Sequence, residues 1–125
     1  MAERFVILEH SMHGAVHWDF MLESGAALAT WQVGCDPCGL AVGQEAAARR
    51  LADHRLAYLT YEGAVSGGRG SVRRMASGTY EAIERQRDRW HVTLQSGRGG
   101  EAAEFAITLT SRDGTDWTLV RLSKA

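Results

Sequence analysis

The sequence predicts a mainly β fold, an antiparallel barrel or sandwich carrying one short helix, and three observations lead there. Short runs of β-branched and aromatic residues recur along the chain, turn signals rich in Gly, Ser and Asp separate them, and there is only a single proline to interrupt a sheet ladder. The 125 residues suit one domain, residues 1–125, large enough to bury a core without staples. No internal repeat or low-complexity segment interrupts this pattern.

Taken in order, residues 5–9 read as the first strand, 16–23 as the second and 27–33 as the third, with Ser24-Gly25 turning the last two into a hairpin. Residues 44–51 are the expected helix: the run is alanine-rich, with Glu45 early and Arg49 and Arg50 late, the charge order a helix dipole favours. Residues 56–61 are strand-like, and 62–70 form a glycine-rich loop leading to strands at 71–75 and 78–84. Residues 90–95 alternate as a strand does, 96–100 make a turn, 104–110 a strand, 111–115 a turn, and 117–122 the last strand.

Charge and cysteine usage narrow the functional classes. Net charge is −1, which argues against a strongly basic nucleic-acid binder. Its distribution is polarised, however: residues 49–98 hold ten arginines against five acidic residues, a local balance of +5 that leaves −6 for the rest. Such a chain can present a basic face to phosphates, through the side chain whose planar fork grips phosphate oxygens in pairs. No apolar run approaches the roughly 20 residues that cross a bilayer, and the first ten residues lack the pattern of a signal peptide. A cytoplasmic protein with no membrane partner is expected. Cys35-Asp-Pro-Cys38 resembles a redox or zinc half-site by spacing. Pro37 and Gly39 make it a loop, and no second Cys-x-x-Cys completes a zinc site, so ordinary loop thiols are expected.

The stretch from His10 to Glu23 carries the densest chemistry. In a strand at 17–22, alternation points His17, Asp19 and Met21 to one face and Trp18, Phe20 and Leu22 to the other. His10 and His13 lie just upstream, where a hairpin returns one of them to the His17/Asp19 pair. Two imidazoles and a carboxylate suit Mn, Fe or Zn. A hydrogen-bonded His-x-Asp pair without a metal is the alternative. A second group is Asp53-His54-Arg55-Leu56-Ala57-Tyr58: in an extended segment His54 and Tyr58 share a face, as general acid and second donor to a phosphate, or as a loop residue and a half-buried aromatic. Gly67-Gly-Arg-Gly70 lacks the Lys-Ser/Thr of a phosphate-binding P-loop, although Arg69 is a candidate phosphate contact.

Four ordered motifs, His17-Trp-Asp-Phe-Met-Leu-Glu, Asp53-His-Arg-Leu-Ala-Tyr58, Tyr61-Glu-Gly and Gly78-Thr-Tyr-Glu, with Trp117-Thr-Leu-Val-Arg-Leu at the end, resemble the 3′-phosphoesterase domain of bacterial DNA ligase D across nearly the whole chain. The resemblance implies a compact β-barrel and a Mn²⁺-dependent enzyme that trims DNA 3′ ends, removing a terminal ribonucleoside and then the 3′-phosphate. Zn²⁺ or Co²⁺ are alternative metals. It assigns the metal to His10, His17 and Asp19, with His13 as an alternative ligand, and catalysis to His54, Tyr58 and Arg50. Arg49, Arg55, Arg69 and Arg73 are then candidates for the substrate phosphate, and DNA 3′ ends on a primer–template and a separately encoded ligase or polymerase are the implied partners. Two positions depart from the pattern. Met21 stands where the family has Arg, and the interval from His10 to His17 is one residue longer. A catalytically weakened binding module is therefore the competing function, and a redox or zinc protein centred on Cys35 and Cys38 a third.

Overall fold

The structure, a computed structural model, describes residues 2–96 and 103–123. Nine strands make one antiparallel sheet: β1 (Glu3–Met12), β2 (Ala15–Ser24), β3 (Ala27–Val33), β4 (Glu45–Arg55), β5 (Gly63–Ala64), β6 (Ser71–Arg85), β7 (Arg89–Ser96), β8 (Ala103–Ser111) and β9 (Asp116–Leu122). The spatial order is β1-β2-β3-β4-β9-β8-β7-β6, and β6 pairs back onto β1, so eight strands close into a barrel while β5 adds a two-residue ladder to β6. Two four-strand meanders, β1–β4 and β6–β9, are thus sealed by the β4/β9 and β1/β6 seams. Closure removes open edges from the wall. No helix among the described residues is long and apolar enough to cross a membrane.

The predicted helix at 44–51 is not one. These residues belong to β4, whose Ala48 pairs with both Val33 of β3 and Trp117 of β9. Alanine's helix preference amounts to a few tenths of a kcal/mol per residue over most others, whereas a helix here would leave β3 and β9 unpaired and the barrel open. Small residues at the inward positions of β4 also have a packing reason. Trp31, Trp90 and Trp117 fill the interior, with Trp31 edge-on to the other two at 5.3 and 5.5 Å between ring centroids. Ala29, Ala48 and Ala76 leave volume for those indoles.

Two further readings change. Residues 56–61 are not a strand: Leu56–Leu59 form a 3₁₀ turn, which drops Leu59 onto the outside of the barrel. Residues 71–75 and 78–84 are one long strand, β6, with irregular pairing near Met75 and Ile83. Gly78 joins the two halves because a Cβ there would stand 1.9 Å from the Gln95 carbonyl oxygen of β7. The strand expected at 27–33 coincides with β3, the other predicted strands appear within longer elements, and the turn expected at 96–100 lies, past Ser96, outside the described residues.

The core is double. Inside the barrel lie Phe5, Ile7, Phe20, Leu22, Val92, Leu94, Ile107, Leu109 and Leu119 around the indoles. On the outer wall a smaller cluster, Val6, Leu8, Met21, Leu28, Leu59 and Val72, is roofed by Leu56, Tyr58 and Val65 from the connection between β4 and β6. That roof creates a sheltered cavity on a face that would otherwise be solvent.

Candidate metal centre

The β1–β2 hairpin builds the first half of the site. Met12 pairs with Ala15, so His13 and Gly14 form a two-residue turn, and both have positive φ (51° and 82°), as a tight primed turn requires. The turn sets the register that places His10 directly opposite His17. The seven-residue interval between them is thus spanned by an unbroken ladder and this turn. His13 occupies it, and the ligand-type cluster contains His10, His17 and Asp19 without it.

Because Phe5 and Ile7 point inward, Leu8 and His10 point outward; on β2, Phe20 and Leu22 point inward and Asp19 and Met21 outward. The chemical face is thus the outer wall, continuous with the small apolar cluster. His10 Nδ1 lies 3.2 Å from His17 Nε2, His17 Nε2 3.2 Å from Asp19 Oδ1, and His10 Nδ1 3.7 Å from Asp19 Oδ2. One ligand atom from each residue falls within 4.8 Å of the others. Asp19 is only 3% exposed, and its Oδ1 has no hydrogen-bond partner despite the nearby imidazole. Burial pushes its carboxyl above the usual range, opposed by the His17, His10 and His54 imidazoles. A desolvated carboxylate with an unused oxygen, facing two imidazole nitrogens, fits a divalent cation: N,N,O donors suit Mn, Fe or Zn, and ligand atoms about 2.1 Å from a shared ion stand roughly 3–3.5 Å apart.

The second half comes from β4 and the roof. A cavity of about 370 Å³ is lined by Leu8, His10, Asp19 and Met21 on the wall and by Ala52, Asp53, His54, Arg55, Tyr58, Val65, Arg69 and Val72 around it. The last residues of β4, paired only with β3, carry His54 opposite Leu28. His54 Nδ1 donates to the Ala52 carbonyl at 2.9 Å, a bond that commits Nδ1 and leaves Nε2 available. Its ring meets Tyr58 edge-on at 5.8 Å. Sequence alternation paired these two through an extended backbone; the 3₁₀ turn brings them together instead.

The candidate arginines divide. Arg55 lines the cavity, its guanidinium 5.9 Å from the Tyr58 ring. Arg49 is exposed on the outer side of β4, opposite Gln32, beyond the cavity lining. Arg50 follows the inward alternation of Ala48: it stacks 4.5 Å over Trp31, pairs with Asp53 at 3.6 Å, and does not line the cavity. Arg73 pairs with Glu9 at 3.2 Å. The Arg69 guanidinium folds back onto Ser66, with Nε 2.8 Å from its carbonyl oxygen. Part of the polarised charge in the sequence is thus held in ion pairs, Arg85 with Glu3 and Arg89 with Glu84 among them.

Met21 is 1% exposed, packed with Val6 and Leu8 where the resemblance calls for a cation. Arg74 stands opposite the cavity-lining Leu8 in the β1/β6 ladder and is not itself among the lining residues. Two of the recognised motifs carry fold: Glu62 accepts the Arg74 amide at 2.8 Å, and the Tyr80 hydroxyl donates to the Glu23 carbonyl.

Cys35 precedes, and Cys38 lies within, a 3₁₀ turn (Pro37–Gly39) capped by Asp36, both half-buried against the interior core. Burial, with Asp36 adding to it, raises both thiols, Cys38 to about 11. That is the opposite of the lowered pKa a redox pair needs. Among the described residues, neither cysteine belongs to a metal-type cluster.

No curated protein matches the chain. The family model of the DNA ligase D 3′-phosphoesterase domain matches residues 9–121, a span that takes in the hairpin histidines, the roof and the closing strand. On that match the chain belongs to the DNA ligase D 3′-phosphoesterase family.

Proposed function

We propose that this protein is a Mn²⁺-dependent phosphoesterase that heals DNA 3′ ends, removing a 3′-phosphate or a terminal ribonucleoside to leave a 3′-hydroxyl. One observation carries the reading: His10 and Asp19, which cluster with His17, line a single cavity together with His54, Tyr58 and Arg55. In this reading the two histidines and Asp19 hold the cation, with Zn²⁺ or Co²⁺ as alternatives to Mn²⁺, and it supplies Lewis acidity toward a phosphate oxygen. Arg55 offers a paired donor to the remaining phosphate oxygens, with Arg49 further out along the DNA. His54, anchored through Nδ1, presents Nε2 to hold a proton for the leaving oxygen, and Tyr58 adds a hydroxyl donor. Leu8, Met21 and Val72 form an apolar wall that strengthens these interactions by excluding water. The same reading sets the reaction in the cytoplasm and makes a separately encoded ligase or polymerase the consumer of the 3′-hydroxyl.

The test is phosphate release from a primer–template ending in a 3′-phosphate, in Mn²⁺ and in EDTA, for wild type and His17→Ala. Metal-dependent release abolished by the substitution supports the proposal. A second reading is favoured by Met21, which leaves that wall position without a cation. A phosphate-binding module that has lost turnover would bind the same DNA and release nothing; missing one such donor costs roughly 10²- to 10³-fold in rate.

A further inference from the structure

His10 is gripped from behind. Its Nε2 lies 2.6 Å from the carbonyl oxygen of Arg69. A carbonyl only accepts, so Nε2 carries a ring proton, and in the neutral imidazole Nδ1 then keeps its lone pair. Nδ1 is the nitrogen that faces His17 Nε2 at 3.2 Å and Asp19 Oδ2 at 3.7 Å.

What aims that carbonyl is the next residue. Gly70 has φ of +77°, and a Cβ on it would lie 1.9 Å from the Ser11 carbonyl oxygen and 2.9 Å from Met12 Cα, both backbone atoms of β1. No side chain fits unless the loop lifts away from the strand. The loop is closed on itself by the Val65 amide donating to the Gly70 carbonyl at 2.8 Å, a main-chain bond that does not involve the Arg69 side chain.

We propose that the Arg69–Gly70 main chain is a positioning element of the metal centre: it selects the Nε2–H tautomer of His10 and so makes Nδ1 its metal-binding nitrogen. This rests on the metal-dependent reading above. The contribution of Arg69 is its carbonyl, not its charge. Partners of this kind orient a ligand imidazole and raise its basicity, and losing one typically weakens metal affinity about 10- to 100-fold.

Long-range ¹H–¹⁵N correlation spectra of the metal-free wild type, with His10 assigned by His10→Gln, read the tautomer directly; Nε2–H is expected, and Nδ1–H would overturn the proposal. Mn²⁺ titration adds the affinity arm. Gly70→Ala is expected to bind about 10- to 100-fold more weakly, while Arg69→Ala keeps wild-type affinity. Equal weakening in both variants, or none in Gly70→Ala, would overturn the positioning role. The spectra need no variant of the loop, so a Gly70→Ala protein that fails to fold leaves them decisive. Wild type that takes up no Mn²⁺ overturns the metal reading itself, and an Nε2–H tautomer then remains only a contact of the fold.

Discussion

Asp19→Asn distinguishes a metal-holding carboxylate from a structural one by the sign of its effect. In the metal-free protein this carboxylate is 3% exposed, one oxygen accepts no hydrogen bond, and its desolvation is offset by two imidazoles at 3.2 and 3.7 Å and by that of His54. A buried polar atom left unpaired costs about 1–3 kcal/mol, and more when it is charged. The amide keeps the shape, removes the charge and can donate to His10 Nδ1, so the metal-free variant should be more stable by about 1–2 kcal/mol. For a domain of this size that is roughly 3–10 °C in Tm. Mn²⁺ at about a hundred times its Kd should stabilise wild type by about 2.7 kcal/mol. Without the anionic donor the variant should gain almost nothing. Scanning fluorimetry in EDTA and in Mn²⁺ should therefore show the two proteins exchanging order. A variant less stable in EDTA, as when a net-stabilising buried pair is broken at a cost of about 3–5 kcal/mol, would refute this reasoning, as would equal Mn²⁺ shifts.

Four further outcomes follow from the geometry. His13 sits at φ +51° in the β1–β2 turn, a conformation asparagine tolerates better, so His13→Asn should leave Mn²⁺ affinity unchanged and raise stability by a few tenths of a kcal/mol; a loss of affinity in titration would make His13 a ligand. Met21→Arg places a charge among Val6, Leu8 and Val72 and should cost about 1–3 kcal/mol in urea unfolding, whereas Met21→Leu should stay within about 1.5 kcal/mol. Cys38, held up to about 11 by burial, stays protonated at neutral pH, so alkylation should be slow there and rise about tenfold per pH unit through pH 8–10. The same raised value means the unfolded thiol ionises first: stability should fall as pH rises from about 9 toward 11, as equilibrium unfolding across that range can check. Fast alkylation at pH 7 would contradict the burial.

Strand by strand, period-2 alternation in the sequence determined most of the barrel and the two-faced character of β2, because burial on one side leaves its mark on every second residue. The same alternation read His17 and Asp19 onto one chemical face, and ordered motifs named the family. Alternation was ambiguous where small residues line the interior. Ala46 and Ala48 carry a helix-like composition, and only closure between β3 and β9 makes them strand. Sequence alone also left His10 and His13 as rivals and named Arg50 beside Arg49. The hairpin turn puts His10 in the ligand-type cluster, and the inward alternation of β4 sends Arg50 to Trp31. The carbonyl behind His10 and the apolar shelter over Met21 depend on residues far apart in the chain, Arg69 against His10 and Leu59 in the same buried cluster as Met21. A backbone oxygen has no residue type to betray it, and burial from outside the barrel depends on where the connection is laid down, so both were decided by the tertiary structure.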